Sequence, residues 1–281
     1  MAGCEQGDSG SRSAAGGRIS LGYVRWEESV AVANLTKVIL EDELGYKKVN
    51  LERGSPEETI REVADGDLVA FQDLWMPMHR KLLKGKGDEV GTLDTWLIGT
   101  TRSSLAVPYY MKAKDVSDLQ KMKVDEVLGV QPGAAAVGEV PRETDLRVAK
   151  SEVLFSSTKA MLDEMHRLYK AKKLFAFVAW SPHWMNFKYD INYLADPHRE
   201  LGKLTRPSEP MTIVSEGLSK KEPRAHRLMR IMILTNYQVS SLELDVRHSR
   251  TPVRGARKWV DDHRTLVDGW VEKVKESDKV T

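Results

Sequence analysis

The chain has 281 residues, 41% of them apolar and 30% charged, which is enough for one large domain or for two lobes around real cores. Its 43 basic and 41 acidic residues nearly cancel to a formal charge of +2. Basic and acidic residues alternate, which excludes the concentrated basic face of a nucleic-acid groove, and the longest apolar runs fall short of the ~20 residues of a membrane span.

Residues 1–17 begin Met-Ala-Gly-Cys and continue as a Gly/Ser/Ala-rich tract with too little apolar content to fold, so they read as a flexible tether. Cys4 is the single cysteine, so no internal disulfide can form. Ala-Gly-Cys is either a tail without role or the end of a bacterial lipobox, with Cys4 as the lipidated residue; from these residues alone both readings stay open.

Arg18 to Val24 is a strand candidate, and Glu28 to Leu44 carries Val32, Leu35, Val38 and Ile39 at helical spacing. A strand over Lys47–Glu52 follows. Ser55 is then a helix cap, with Pro56 at the first helical position. Asp67 to Trp75 reads as a buried strand and Ser103 to Met111 as another, interrupted by Pro108. A short helix begins at Asp115. A helix ending near Tyr169 leads into a strand over Lys173–Trp180. From Pro223 onward the chain reads as helices. The last carries Trp259, Val260, His263, Leu266, Val267, Trp270 and Val274 on one stripe. Strands alternating with helices predict an α/β protein with mostly parallel sheets, in two lobes.

Ligands of open α/β sheets bind beyond the carboxyl ends of the strands, and that is where the aromatics fall. Trp26, Trp75 and Trp180 each close a strand candidate, and Tyr109 and Tyr110 hold the matching place after Pro108. Each alone is an ordinary core residue; as a set they predict one crevice of aromatic faces, suited to a quaternary ammonium held by the ring quadrupoles. His183 and Trp184 read as supports of the Trp180 wall. Ser29 and Val30, at the start of the first helix, offer backbone amides for a ligand carboxylate. Glu28 either favours the helix start or points into the crevice, where it suits a cation or a hydroxyl. No Gly-x-Ser-x-Gly, His-Glu-x-x-His or glycine-rich phosphate loop is present, and His166, His183 and His198 are too widely spaced for a metal motif. No catalysis, cofactor or metal is expected.

The segments "LGYVRWEESVAVAN", "VADGDLVAFQDLWMP", "LAVPYYM", "GVQPGAAA", "SSTKAML" and "AWSPHWMNFKYDINYLADP", with the tail "ARKWVDDHRTLVDGWV", resemble in order the substrate-binding proteins of ABC importers for glycine betaine, proline betaine and choline. The resemblance implies a two-lobed periplasmic-binding-protein-like (type II) fold with the ligand cleft between the lobes. Lobe 1 would take residues 18–105, lobe 2 residues 106–210, and the helical part 211–281 would return to lobe 1. It implies a cage of Trp26, Trp75, Tyr110 and Trp180, ligand carboxylate on the amides of Ser29 and Val30, an ABC permease as partner, and a lipid anchor through Cys4 on the extracellular face of the membrane. Glycine betaine or proline betaine is the expected ligand; the alternatives are a choline- or carnitine-binding protein of the same family and a ligand-sensing module of a signalling system. The chain departs from the family pattern at Arg80, where His is usual, so His79 does not inherit that role. It departs also at Leu234, where some members carry a further cage Trp that Tyr237 could replace, and in "GVQPGAAA", which lacks a second glycine.

Overall fold

The computed structural model describes residues 17–277 apart from 87–88, 123, 125 and 131–152. Cys4 and most of "GVQPGAAA" lie outside the described residues. In chain order the elements are β1 (Arg18–Tyr23), α1 (Glu27–Val38), β2 (Lys48–Arg53), α2 (Pro56–Asp65), β3 (Ala70–Met76), β4 (Val90–Thr95), β5 (Leu97–Ile98) and β6 (Arg102–Pro108). Then come α3 (Val116–Lys121), β7 (Glu126–Val130), β8 (Val153–Ser156), α4 (Thr158–Lys170), β9 (Phe175–Ser181), α5 (Met185–Lys188) and β10 (Ile191–Tyr193). The chain ends with β11 (Glu209–Ser215), α6 (Leu218–Lys221), α7 (Pro223–Ile231), β12 (Leu234–Thr235), α8 (Asn236–His248), α9 (Pro252–Asp262) and α10 (Arg264–Ser277).

Two five-stranded sheets carry the two lobes. The first has the order β2-β1-β3-β11-β4 and the second β10-β6-β9-β7-β8, while β12 and β5 form a two-stranded ribbon. The expectation of mostly parallel sheets is corrected. β1 pairs in parallel with β2 and β3, and β7 with β8 and β9. However, β11 is antiparallel to both β3 and β4, and β6 is antiparallel to both β9 and β10. Helical crossovers give parallel neighbours; β11, returning from the second sheet without one, enters the first sheet in the opposite sense.

Local chemistry sets the ends of these elements. Ser55 accepts from the Glu58 amide at 3.2 Å and its own amide donates to Glu58 Oε2 at 2.9 Å, a closed capping box with Pro56 at the first helical position. The chain leaves α2 through Gly66 at φ 83°, a left-handed conformation that only glycine adopts freely. α1 runs on through a π-helical turn at Ile39–Glu43. The single C-terminal helix expected through Trp259 and Val274 is two helices, because His263 leaves helical geometry and stacks on Trp259 with ring centroids 4.0 Å apart.

The C-terminal helices fold back on the first sheet. Trp259, Val267, Trp270 and Val274 share one core with Leu35, Ile39 and Val49. Leu234 is fully buried in that same core. The second sheet holds its own core around Phe175, Phe177, Met161 and Leu168. Trp26 and Trp75 lie in a third cluster, with Ile60, Phe71 and Leu74.

Candidate functional site

The strand directions decide which tryptophans meet. β1 and β3 run parallel, with Leu21 opposite Ala70, so Trp26 and Trp75 leave the first sheet from the same edge. β9 delivers Trp180 to the facing edge of the second sheet, opposite Ser103 at the start of β6. All three indoles are buried, Trp26 and Trp75 in one apolar cluster of the first lobe and Trp180 in the core of the second. Trp26 is the N-cap residue of α1. Its ring stacks on His79 at 5.4 Å, and His79 Nδ1 accepts the Trp75 amide at 3.1 Å, so one imidazole braces two of the tryptophans. Trp75 also lines a small crevice with Ser103 and Ser181, the residues opposite and following Trp180.

Tyr110 is the exception. Because β6 runs antiparallel to β9, its end lies beside the beginning of β9, a strand length away from Trp180. There the Tyr110 hydroxyl donates to the Lys173 carbonyl at 2.7 Å and its ring packs on Tyr169. The resemblance implies a place for Tyr110 in the cage, and the antiparallel pairing, which carries it to the far end of β9 from Trp180, does not support that place. Tyr237 supplies no substitute wall: it is exposed and meets Phe187 edge-on at 4.9 Å.

The Val30 amide is also corrected. It donates to the Trp26 carbonyl at 3.0 Å, the first bond of α1. A helix capped at Trp26 leaves the amides of Glu27, Glu28 and Ser29 without an intrahelical acceptor. Ser29 stays in the expected position, and its hydroxyl accepts the Val24 amide at 3.0 Å.

A polar network closes the seam between the lobes. Glu27 Oε2 accepts from His183 Nε2 at 2.5 Å and from the Trp184 indole, while Glu27 Oε1 accepts from Arg247 at 3.1 Å. His183 Nδ1 accepts the Met185 amide, so the buried imidazole is neutral and carries its proton on Nε2. Burial pushes the Glu27 carboxyl up, but its bonds to His183 and Trp184 and the charge of Arg247 outweigh that and hold it below the usual range. The Arg247 guanidinium lies over the Trp184 ring at 4.4 Å, and the Trp184 amide donates to Glu243 at 2.7 Å. His183 in turn packs on Trp180 at 4.6 Å, the supporting role expected of it.

Behind the indoles lie more carboxyls. Asp73 Oδ1 accepts from Trp75 Nε1 at 2.8 Å. Burial pushes Asp73 up to about 7 although Trp75 and Ser29 hydrogen-bond to it. Glu28 is buried and pushed well up, first by burial and then by Asp73 and Glu243. It faces inward, not solvent. Among the described residues no group of three His, Cys, Asp or Glu is placed to hold a metal ion. Nor is any described helix long and apolar enough to cross a membrane.

Against this geometry, residues 17–262 match the family model described as the substrate-binding domain of the ABC-type glycine betaine transport system. The chain belongs to that family. Among curated proteins, this substrate-binding domain is 30% identical over 123 residues to the glycine betaine/carnitine transport binding protein GbuC of Listeria monocytogenes serotype 1/2a (strain 10403S). That match spans 44% of the chain and only 40% of the Listeria protein. Among solved structures, the domain superposes on lactococcal OpuAC, closed on glycine betaine, with a TM-score of 0.74 and 28% identity over 90% of this chain and 99% of that one. A choline-binding protein of an ABC transporter in complex with choline gives 0.67 at 19% identity, covering 93% and 98% of the two chains, a likeness of fold. The two-lobed binding-protein architecture follows from these likenesses, and the family is one of transport binding proteins rather than catalysts.

Asp73, His79, Glu243 and Arg247 were not singled out in the sequence as site residues. For Asp73 a signal existed: a lone carboxylate inside the apolar run "AFQDLW" is either strand-breaking or functional. His79 meets the Trp75 amide locally, four residues on, whereas Glu243 and Arg247 reach this region only through tertiary folding.

Proposed function

We propose that the chain is the solute receptor of an ABC importer. It captures a quaternary ammonium osmolyte, glycine betaine or proline betaine, between Trp26, Trp75 and Trp180, and hands it to the permease. The observation that supports this reading is three buried indoles at three strand ends, with Trp75 lining a crevice together with Ser103 and Ser181, the neighbours of Trp180. Indole faces attract a cation that has no hydrogen-bond donors, at about 0.5–2 kcal/mol per wall. The ligand's carboxylate would take the amides at the start of α1, where the helix dipole is positive. Trp180 Nε1, buried without a hydrogen-bond partner among the described residues, offers a further donor. The first sheet with its C-terminal helices forms one jaw and the second sheet the other. Ligand touching both jaws favours the closed state by its differential affinity, and the permease reads that state. The receptor works on the outer side of the membrane, tethered through a lipid on Cys4; intact-mass analysis of material from the native host would reveal the acyl mass.

Choline is the second reading, favoured by the buried Glu28 and Asp73 carboxyls, which can meet a hydroxyl or, on losing a proton, a cation without a carboxylate of its own. Titration calorimetry against glycine betaine, proline betaine, choline and carnitine decides. Binding of at least one, with Kd at or below about 10 μM, is expected; silence from all four overturns the reading.

A further inference from the structure

Three buried carboxyls have no counter-charge among the described residues. Glu28 comes from α1, Asp73 from β3 and Glu243 from α8, and each is at most 2% exposed. Each keeps one oxygen without a hydrogen-bond partner among the described residues: Glu28 Oε1, Asp73 Oδ2 and Glu243 Oε1. Each is also tied to an aromatic wall or its support. Asp73 accepts the Trp75 indole, Glu243 accepts the Trp184 amide, and Glu28 stands two residues after Trp26 in the same helix start.

Among the described residues, the other titratable and charged groups that bear on the cluster supply no cation to it. Glu27 adds negative charge, and its partner Arg247 is engaged by Glu27 and the Trp184 ring. His183 and His79 both accept backbone amides through Nδ1 and are neutral. Like-charged buried carboxyls cannot all ionise together, so part of the cluster holds protons. The indoles attract a cation but carry no unit charge to balance it.

We propose that Glu28, Asp73 and Glu243 provide the ligand's counter-charge by giving up a proton, so that capture of a quaternary ammonium releases protons to solvent and tightens as pH rises. The inference rests on the functional reading above. In the step, a carboxyl O–H bond breaks, the electron pair stays on oxygen, and the proton passes to the buffer. The arriving ammonium balances the new carboxylate. A zwitterion brings its own negative charge, so choline should release more than glycine betaine does.

The test is titration calorimetry of the full chain with choline and with glycine betaine, in three buffers of different ionisation enthalpy near neutral pH. The slope of observed heat against buffer enthalpy counts the protons. Release of about 0.3–1 proton with choline, less with glycine betaine, and a Kd falling severalfold between about pH 6 and pH 8 are expected. Asp73→Asn, whose carboxamide oxygen still accepts the Trp75 indole, should lose most of the release; Glu28→Gln and Glu243→Gln serve if that variant does not fold. Binding with buffer-independent heat and a flat Kd overturns the proposal, as does undiminished release in the folded variants. Silence from both ligands, together with proline betaine and carnitine, instead overturns the receptor reading and this inference with it.

Discussion

Across the seam between the lobes, the Nε2–H of His183 donates to Glu27 Oε2 at 2.5 Å, and Arg247 reaches the other oxygen of the same carboxylate. One residue at the start of α1 thus ties β9's exit loop to α8. A charge-assisted hydrogen bond contributes about 1.5–3 kcal/mol, and this one exists only while the lobes touch. Glu27→Ala should therefore destabilise the closed state and weaken ligand binding roughly tenfold or more, without removing an aromatic wall. Calorimetry gives the affinity, and small-angle scattering should show a smaller ligand-induced contraction than in the parent chain. Unchanged affinity and contraction would leave Glu27 a surface acid of the first helical turn.

The strand directions make a second, sharper test. Trp75→Ala and Trp180→Ala each remove a face and its apolar contact, so ligand affinity should fall at least about tenfold. Tyr110→Phe removes only the bond to the Lys173 carbonyl at the far end of β9, and costs at most about 1 kcal/mol of stability. Its affinity should stay within about twofold of the parent. A Tyr110→Phe or Tyr110→Ala variant that loses binding while Trp180→Ala keeps it would reverse this assignment of walls.

Much of this was legible in the sequence, and the failures have a common cause. Local signals carried what local physics decides: the Ser55–Pro56 helix start, the apolar runs of β3 and β9, and the strand-end tryptophans. Tyr110 was misplaced because strand direction is a tertiary property. A strand ending in Pro-Tyr-Tyr reads identically whether its neighbour runs parallel or antiparallel. Val30 was misassigned by one turn position, since which amides remain free depends on where the cap falls, and the cap is Trp26 itself. Glu243 and Arg247 lie more than 200 residues from Glu27 in sequence and carry no local sign of the contact. The family pattern puts its His at the position that Arg80 holds here, which is exposed, so the pattern gives no pointer to His79.

His79 gives a stability prediction with a definite sign. Burial lowers its pKa to about 4 from the ordinary 6.5, and its Nδ1 accepts the Trp75 amide, so the folded state requires the neutral ring. Between these values the unfolded chain binds the extra proton. The contribution of neutral His79 is then complete above about pH 6.5 and is lost as pH falls toward about pH 4, worth on the order of 3 kcal/mol over the window. Denaturant melts at several pH values should show parent stability declining across that range. His79→Gln should decline less steeply there. Parallel curves for the two would mean that another group governs the acid limb.

The last prediction concerns the frame that holds α8 at the seam. Gly255 in α9 sits against α8 so closely that a Cβ would collide with Val246 Cα and meet the Asp245 carbonyl oxygen at 2.5 Å. Both atoms are backbone, so no side chain can swing aside; the helices must separate. Overpacking of this kind costs about 1–3 kcal/mol. Gly255→Ala should lower the melting temperature by several degrees for a chain of this size. Because α8 also carries Glu243 and Arg247, a shift of that helix should weaken ligand binding modestly too. Gly269, whose added Cβ would meet nothing within 4 Å, is the control. Gly269→Ala should melt at or above the parent temperature, since alanine is the better helix former. A Gly255→Ala variant as stable as Gly269→Ala would mean that α8 and α9 do not pack at this distance in solution.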